Sequence, residues 1–128
     1  MIKGECSCGA VKFELKPPLR NVVWCHCSKC QHWHGGPGPY TTCEKSAVSF
    51  QNDVGLTWWR VAKTVERGFC RVCGSSLFYA DSNETTWSIA AGSLNSPTGL
   101  KTSMHIFVKS KPDWYELGDD GVPRKDAY

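Results

Sequence analysis

The chain has 128 residues, 41% hydrophobic and 21% charged, with a formal charge of +3. That composition fits one globular domain spanning residues 1–128, and no run approaches the ~18 apolar residues of a membrane helix. The opening "MIKGECSCGA" is polar and shows no secretory leader. The eight cysteines are therefore expected in a reducing, cytoplasmic setting, where clustered thiols mean metal or catalysis before disulfides.

In chain order, "AVKFEL" alternates with Val11, Phe13 and Leu15 on one face and Lys12 and Glu14 on the other, the period of a half-buried strand. "KPP" at 16–18 ends it. "NVVW" then runs straight into "CHCSKC", a short helical turn is expected within "CSKCQHW", and "GGPGP" at 35–39 breaks the chain. The later runs "YTTCEK", "AVSF", "LTWWRVA", "TVERGF", "SLFYA", "TWSIAAG" and "MHIFV" are rich in β-branched and aromatic residues, and turn-forming residues punctuate most of them. No segment sustains a 3.6-residue period, so the expected class is all-β. The tail "GDDGVPRKDAY", from about residue 118, is expected to be peripheral.

The cysteines sort by their neighbours. Cys6 and Cys8 in "CSCGA" and Cys70 and Cys73 in "CRVCGS" are each followed at once by glycine. Glycine suits a tight reversal that aims two sulfurs at one ion, because it reaches positive φ without a steric penalty. Two such turns make a closed four-thiolate tetrahedron, the structural form of zinc, which rubredoxin-like iron or disulfides would also satisfy. Cys25, Cys27 and Cys30 differ: three sulfurs in six residues face one ion if the chain turns helical after Cys27, leaving a fourth position open. The alternative is a second structural site closed by His32 or His34, whereas His26 most simply points away. Cys43 reads as a buried strand thiol, and His105 as a structural or pocket-lining histidine.

Taken together, "GECSCGAVKFE", "CHCSKC", "FCRVCGSSLF", "AAGSL" and "HIFVKSKPDWYEL" resemble the glutathione-dependent formaldehyde-activating enzyme family, which also includes centromere protein V. The likeness spans roughly residues 4 to 117. It implies an Mss4-like β-tent with two zinc ions per chain, one structural at Cys6, Cys8, Cys70 and Cys73 and one catalytic at Cys25, Cys27 and Cys30. It further implies a carbon–sulfur lyase of the S-(hydroxymethyl)glutathione synthase type. In that chemistry a substrate thiol, such as glutathione, is bound as thiolate at the open position, and formaldehyde or a related small electrophile adds to its sulfur. One feature departs from the family, whose members often follow the third cysteine with arginines; Gln31 and His32 stand here.

A three-thiolate zinc is a weak Lewis acid, so holding a soft thiol suits it better than activating water. Glutathione's carboxylates call for cations or amides, and Lys29, Gln31, His34, Arg60, Arg67, Lys101 and Lys109 are the candidates. Trp24, Trp33, Tyr40 and Trp58 are aromatic candidates. His34, one helical turn past Cys30, is the first candidate for proton transfer. Four thiolates on zinc carry about −2 and three about −1, which brings the loaded chain from +3 to near neutrality. Neither nucleic acid nor a membrane is expected as a partner. The competing reading is a non-catalytic two-zinc interaction module.

Overall fold

The computed structural model describes residues 1–128, and the architecture is mostly β. Ten strands form two sheets. The smaller has the order β1(Ile2–Glu5), β2(Lys12–Leu15), β5(Val48–Asn52), all antiparallel. The larger runs β10(Thr102–Ile106), β3(Val22–Cys25), β4(Gly38–Glu44), β9(Thr86–Ala90), β8(Ser76–Asp81), β7(Val65–Cys70), β6(Leu56–Arg60). Its neighbours are antiparallel except β10 and β3, which are parallel. One short helix, α1(Ser28–His34), and three single 3₁₀ turns complete the chain. No helix is long and apolar enough to cross a membrane.

The alternation read in β2 is the alternation of burial: Val11, Phe13 and Leu15 all enter the core. Phe13 meets Phe78 of β8 edge-on at 5.0 Å and Phe50 of β5 at 6.3 Å. Trp58 and Trp87 pack on the same Phe78. Leu77, Ile89, Cys43 and Leu94 fill the remainder, so the core is the seam between the two sheets. Burial of each such side chain removes enough apolar surface to contribute about 1.5–3 kcal/mol.

Two further contacts tie the sheets together. Gly4 forms an isolated bridge with Leu94, and Asn95 N donates to Lys3 O at 2.8 Å. The other is the meeting of two turns, Cys6–Gly9 between β1 and β2 and Cys70–Gly74 between β7 and β8. Gly55 closes that meeting from the side: a Cβ there would lie 2.8 Å from both Cys70 Sγ and Ala10 Cβ. Neither backbone nor buried sulfur yields such space cheaply.

The tail is more engaged than its polarity suggests. Residues 123–127 run beside β10, with His105 N donating to Pro123 O (3.0 Å) and Lys125 N to His105 O (2.9 Å). Strand β1 carries no signal of its own, since "IKGE" has no apolar alternation; it exists by pairing with β2. Strand β4 likewise starts inside the predicted break, at Gly38, because β3 offers it a partner.

Gly55→Ala is expected to lower stability by about 1–3 kcal/mol in a denaturant titration. Gly36→Ala, where nothing lies within 4 Å, should be close to neutral. Equal effects would show that the approach to Cys70 is not tight.

Candidate metal centres and the adjoining cavity

The two cysteine turns are built alike. Gly9 and Gly74 have φ of 82° and 80°, the left-handed conformation that L residues with a side chain resist. In each, the glycine N–H returns to the carbonyl of the first cysteine, Gly9 to Cys6 at 3.3 Å and Gly74 to Cys70 at 2.7 Å. The Val11 N–H donates to Cys6 Sγ at 3.3 Å. The sulfurs of Cys6, Cys8, Cys70 and Cys73 consequently lie within 4.8 Å of one another.

The donor set can be tested against an ion. A tetrahedron with Zn–S bonds of about 2.3 Å has sulfur–sulfur edges of about 3.8 Å. Cys6 to Cys8 is 3.7 Å and Cys8 to Cys70 is 3.8 Å. All eight cysteines are free thiols. Four soft donors at tetrahedral spacing fit zinc.

The second cluster is Cys25, Cys27 and Cys30, again with all sulfurs within 4.8 Å. Cys25 ends β3, and Cys27 is the N-cap of α1, its Sγ accepting from Cys30 N at 3.3 Å. A thiol thus takes the place of the usual Ser or Asp cap, and the capping contact itself brings the second and third sulfurs together. Gly35 ends the helix in the left-handed conformation. No histidine nitrogen joins this group. His26 turns into the interior, His32 faces a cavity, and Cys43 is buried in the core apart from both clusters.

Behind the three thiols stands Arg67 of β7, only 3% exposed. Its Nη2 is 3.6 Å from Cys30 Sγ, and its Nη1 donates to the Tyr40 hydroxyl at 3.0 Å. No carboxylate accompanies it, so the thiols are its counter-charge. A hydrogen bond from Cys25 and, against burial, the Arg67 guanidinium bring the Cys30 thiol down to about 6. Cys25, which donates to Cys30 and is partly buried, is pushed up.

His34 lies on the far side of this arrangement. Its Nε2 is 2.5 Å from Tyr40 Oη, and Gly38 is the gap that admits both rings, since a Cβ there would fall 2.8–2.9 Å from them. Burial, then the charge of Arg67, pushes His34 down to about 4. Burial pushes the Tyr40 phenol up, so Tyr40 keeps its proton and donates it to a neutral His34. The structure therefore connects His34 to Cys30 through Tyr40 and Arg67, and not by direct contact.

On its other side Arg67 lines a cavity of about 660 Å³, with Lys29, His32, Trp33, Trp59 and Phe69 among its walls. Trp33 and Trp59 stack at 5.9 Å, and Trp33 Nε1 donates to Ser76 Oγ at 2.7 Å, which fixes that wall. Of the cations named from sequence, Lys29 and Arg67 line the cavity, while Arg60 pairs with Glu66 at 2.7 Å. Gln31 donates to His26 O and Ser110 O. Trp24 donates to Thr102 Oγ1 and Trp58 packs in the core.

Fold and site together describe a mostly β protein with two thiol clusters, one of them joined to a cationic cavity through Arg67. A family model described as glutathione-dependent formaldehyde-activating enzyme matches residues 1–110, and the chain belongs to that family. It is 26% identical over 119 residues to an uncharacterised lyase of Schizosaccharomyces pombe, covering 91% of this chain and 85% of the relative. A putative glutathione-dependent formaldehyde-activating enzyme of Halomonas elongata is 27% identical over 132 residues, covering 91% and 81%. The crystal structure of a Rhodobacter sphaeroides protein shares the fold, with a TM-score of 0.61 at 22% identity over 95% of this chain and 98% of that one.

Tyr40→Phe keeps the ring but strands Arg67 Nη1 and His34 Nε2. It is expected to cost about 1–3 kcal/mol by chemical denaturation. A change under about 0.5 kcal/mol would mean the three side chains do not act as one network.

Proposed function

We propose that the protein is a zinc-dependent enzyme of the carbon–sulfur lyase type, acting on glutathione or a related thiol and a small aldehyde such as formaldehyde. Zinc at Cys6, Cys8, Cys70 and Cys73 is structural, and zinc at Cys25, Cys27 and Cys30 is catalytic. The observation that carries the reading is the position of Arg67, which touches Cys30 Sγ on one side and lines the cavity on the other. A non-catalytic two-zinc module has no need of a buried arginine that joins one of its clusters to a cavity. Seven thiols reserved for metal suit a reducing, cytoplasmic compartment.

Cys25, Cys27 and Cys30 would hold the catalytic zinc, and the ion would supply one thing, keeping a substrate thiol as thiolate at neutral pH, where a free thiol of pKa ~8.5 is mostly protonated. The chain does the rest. Lys29 and Arg67 present positive charge to the two carboxylates of a glutathione-like substrate, and Trp33, Trp59 and Phe69 give its stem an apolar wall. The cavity of about 660 Å³ is in the range that encloses a molecule of that size. Held so, the substrate sulfur attacks the aldehyde carbon: one carbon–sulfur bond forms, the carbonyl π pair moves to oxygen, and the proton lost by the thiol ends on that oxygen. The product is the S-hydroxymethyl thiol. Reversal breaks the same carbon–sulfur bond.

Arg67 offsets the negative charge of the thiolate cluster and so lowers the cost of bringing another thiolate to it. Tyr40 and His34 orient Arg67. With His34 neutral, its part in proton handling runs through the Tyr40 hydroxyl, the one protein O–H it touches.

With cobalt in place of zinc, glutathione is expected to change the charge-transfer and d–d bands of one site only. S-methylglutathione has the same carboxylates but no thiol, and should leave the bands unchanged. Identical responses to both compounds, or no response to glutathione, would contradict ligation through sulfur.

A further inference from the structure

The three-thiol cluster is held from behind by side chains that the proposed chemistry does not use. His26, between Cys25 and Cys27, is 1% exposed. Its Nε2 is 2.9 Å from Nδ1 of His105 on β10, itself 4% exposed. The other nitrogen of His105, Nε2, is 2.6 Å from Asp120 Oδ2.

Proton placement follows from the outer end. A carboxylate only accepts, so His105 carries a proton on Nε2, and with the ring neutral its Nδ1 lone pair accepts from the Nε2–H of His26. The main chain of His26 is fixed as well: its N–H donates to Ile106 O at 3.0 Å and its carbonyl accepts from Gln31 Nε2 at 3.0 Å. Asp120 is itself steadied, with Val122 N donating to its Oδ1 at 3.3 Å and Arg124 Nη2 3.8 Å from the same oxygen. The outer end of the array, Asp120 with Val122 and Arg124, comes from a segment beyond residue 110, where the family match ends.

We propose that Asp120, His105 and His26 are positioning residues for the three-thiol site, so that the C-terminal segment fixes the ring of His26 and with it the main chain carrying Cys25 and Cys27. Each hydrogen bond leaves the next ring one orientation. A buried ring that cannot flip holds its own backbone, and here that backbone sets the spacing of two sulfurs. The inference rests on the reading of Cys25, Cys27 and Cys30 as a metal site.

The test uses the full chain. In Asp120→Ala, chelator competition should release one of the two zinc ions about tenfold or more readily, with the other unchanged and the melting temperature near wild type. Asp120→Glu and Asp120→Asn each keep an oxygen acceptor and should restore most of the affinity. Long-range ¹H–¹⁵N spectra should show both rings protonated at Nε2 in the wild type, with the His26 ring signal shifted in Asp120→Ala. Unchanged affinity, equal weakening of both ions, or no recovery in the conservative variants would overturn the proposal. A wild-type chain that binds one zinc would remove the enzymatic reading by itself; the array then stands or falls on the ring spectra, and an unmoved His26 signal overturns it.

Discussion

Everything in this protein hangs on bringing sulfurs together without letting them bond to each other. The small sheet contributes Cys6 and Cys8, the large one Cys70 and Cys73, and their sulfurs meet at 3.7 to 3.8 Å where pairs are measured. The aromatic seam between the sheets is a cluster of only ten buried residues. A zinc ion in the joint would contribute on the order of 10 kcal/mol to folding, comparable with the whole net stability of an ordinary domain. The same joint anchors the end of β7. That strand then carries Arg67, past an irregularity between Gly68 and Phe69 that bends it, to the other cluster.

Arg67 is what couples the two halves of the account. An arginine buried without a carboxylate is strongly unfavourable unless another negative group stands in. The thiols of the second cluster are that group. The arrangement stabilises in both directions: the guanidinium favours ionised sulfur, and ionised sulfur keeps the guanidinium charged.

Much of this was legible in the residues. The alternation of Val11, Phe13 and Leu15 marks the core face of β2, and the glycines after Cys8 and Cys73 adopt the positive φ that their position demanded. The grouping of seven cysteines into a four and a three is the grouping of the structure. What escaped was whatever depends on long-range register. Arg67 is 37 residues from Cys30, and nothing local separates it from Arg60, which ends at the surface. His34 does lie one turn beyond Cys30, but the helix stops there and its ring settles on Tyr40. Asp120 sits in a polar tail with no apolar signal, and its place is set by the long-range pairing of that tail with β10.

The central claim is that one cluster is closed and the other keeps a position for a substrate sulfur. Zinc K-edge X-ray absorption on the two-zinc protein measures the mean sulfur count directly. If the spare position otherwise holds oxygen or nitrogen, the count should be about 3.5 sulfurs per zinc without a thiol and rise to about 4 with saturating glutathione. A count that starts at about 3.5 and does not move with glutathione would mean that the three-thiol site does not bind the substrate through sulfur, and the account would fail there.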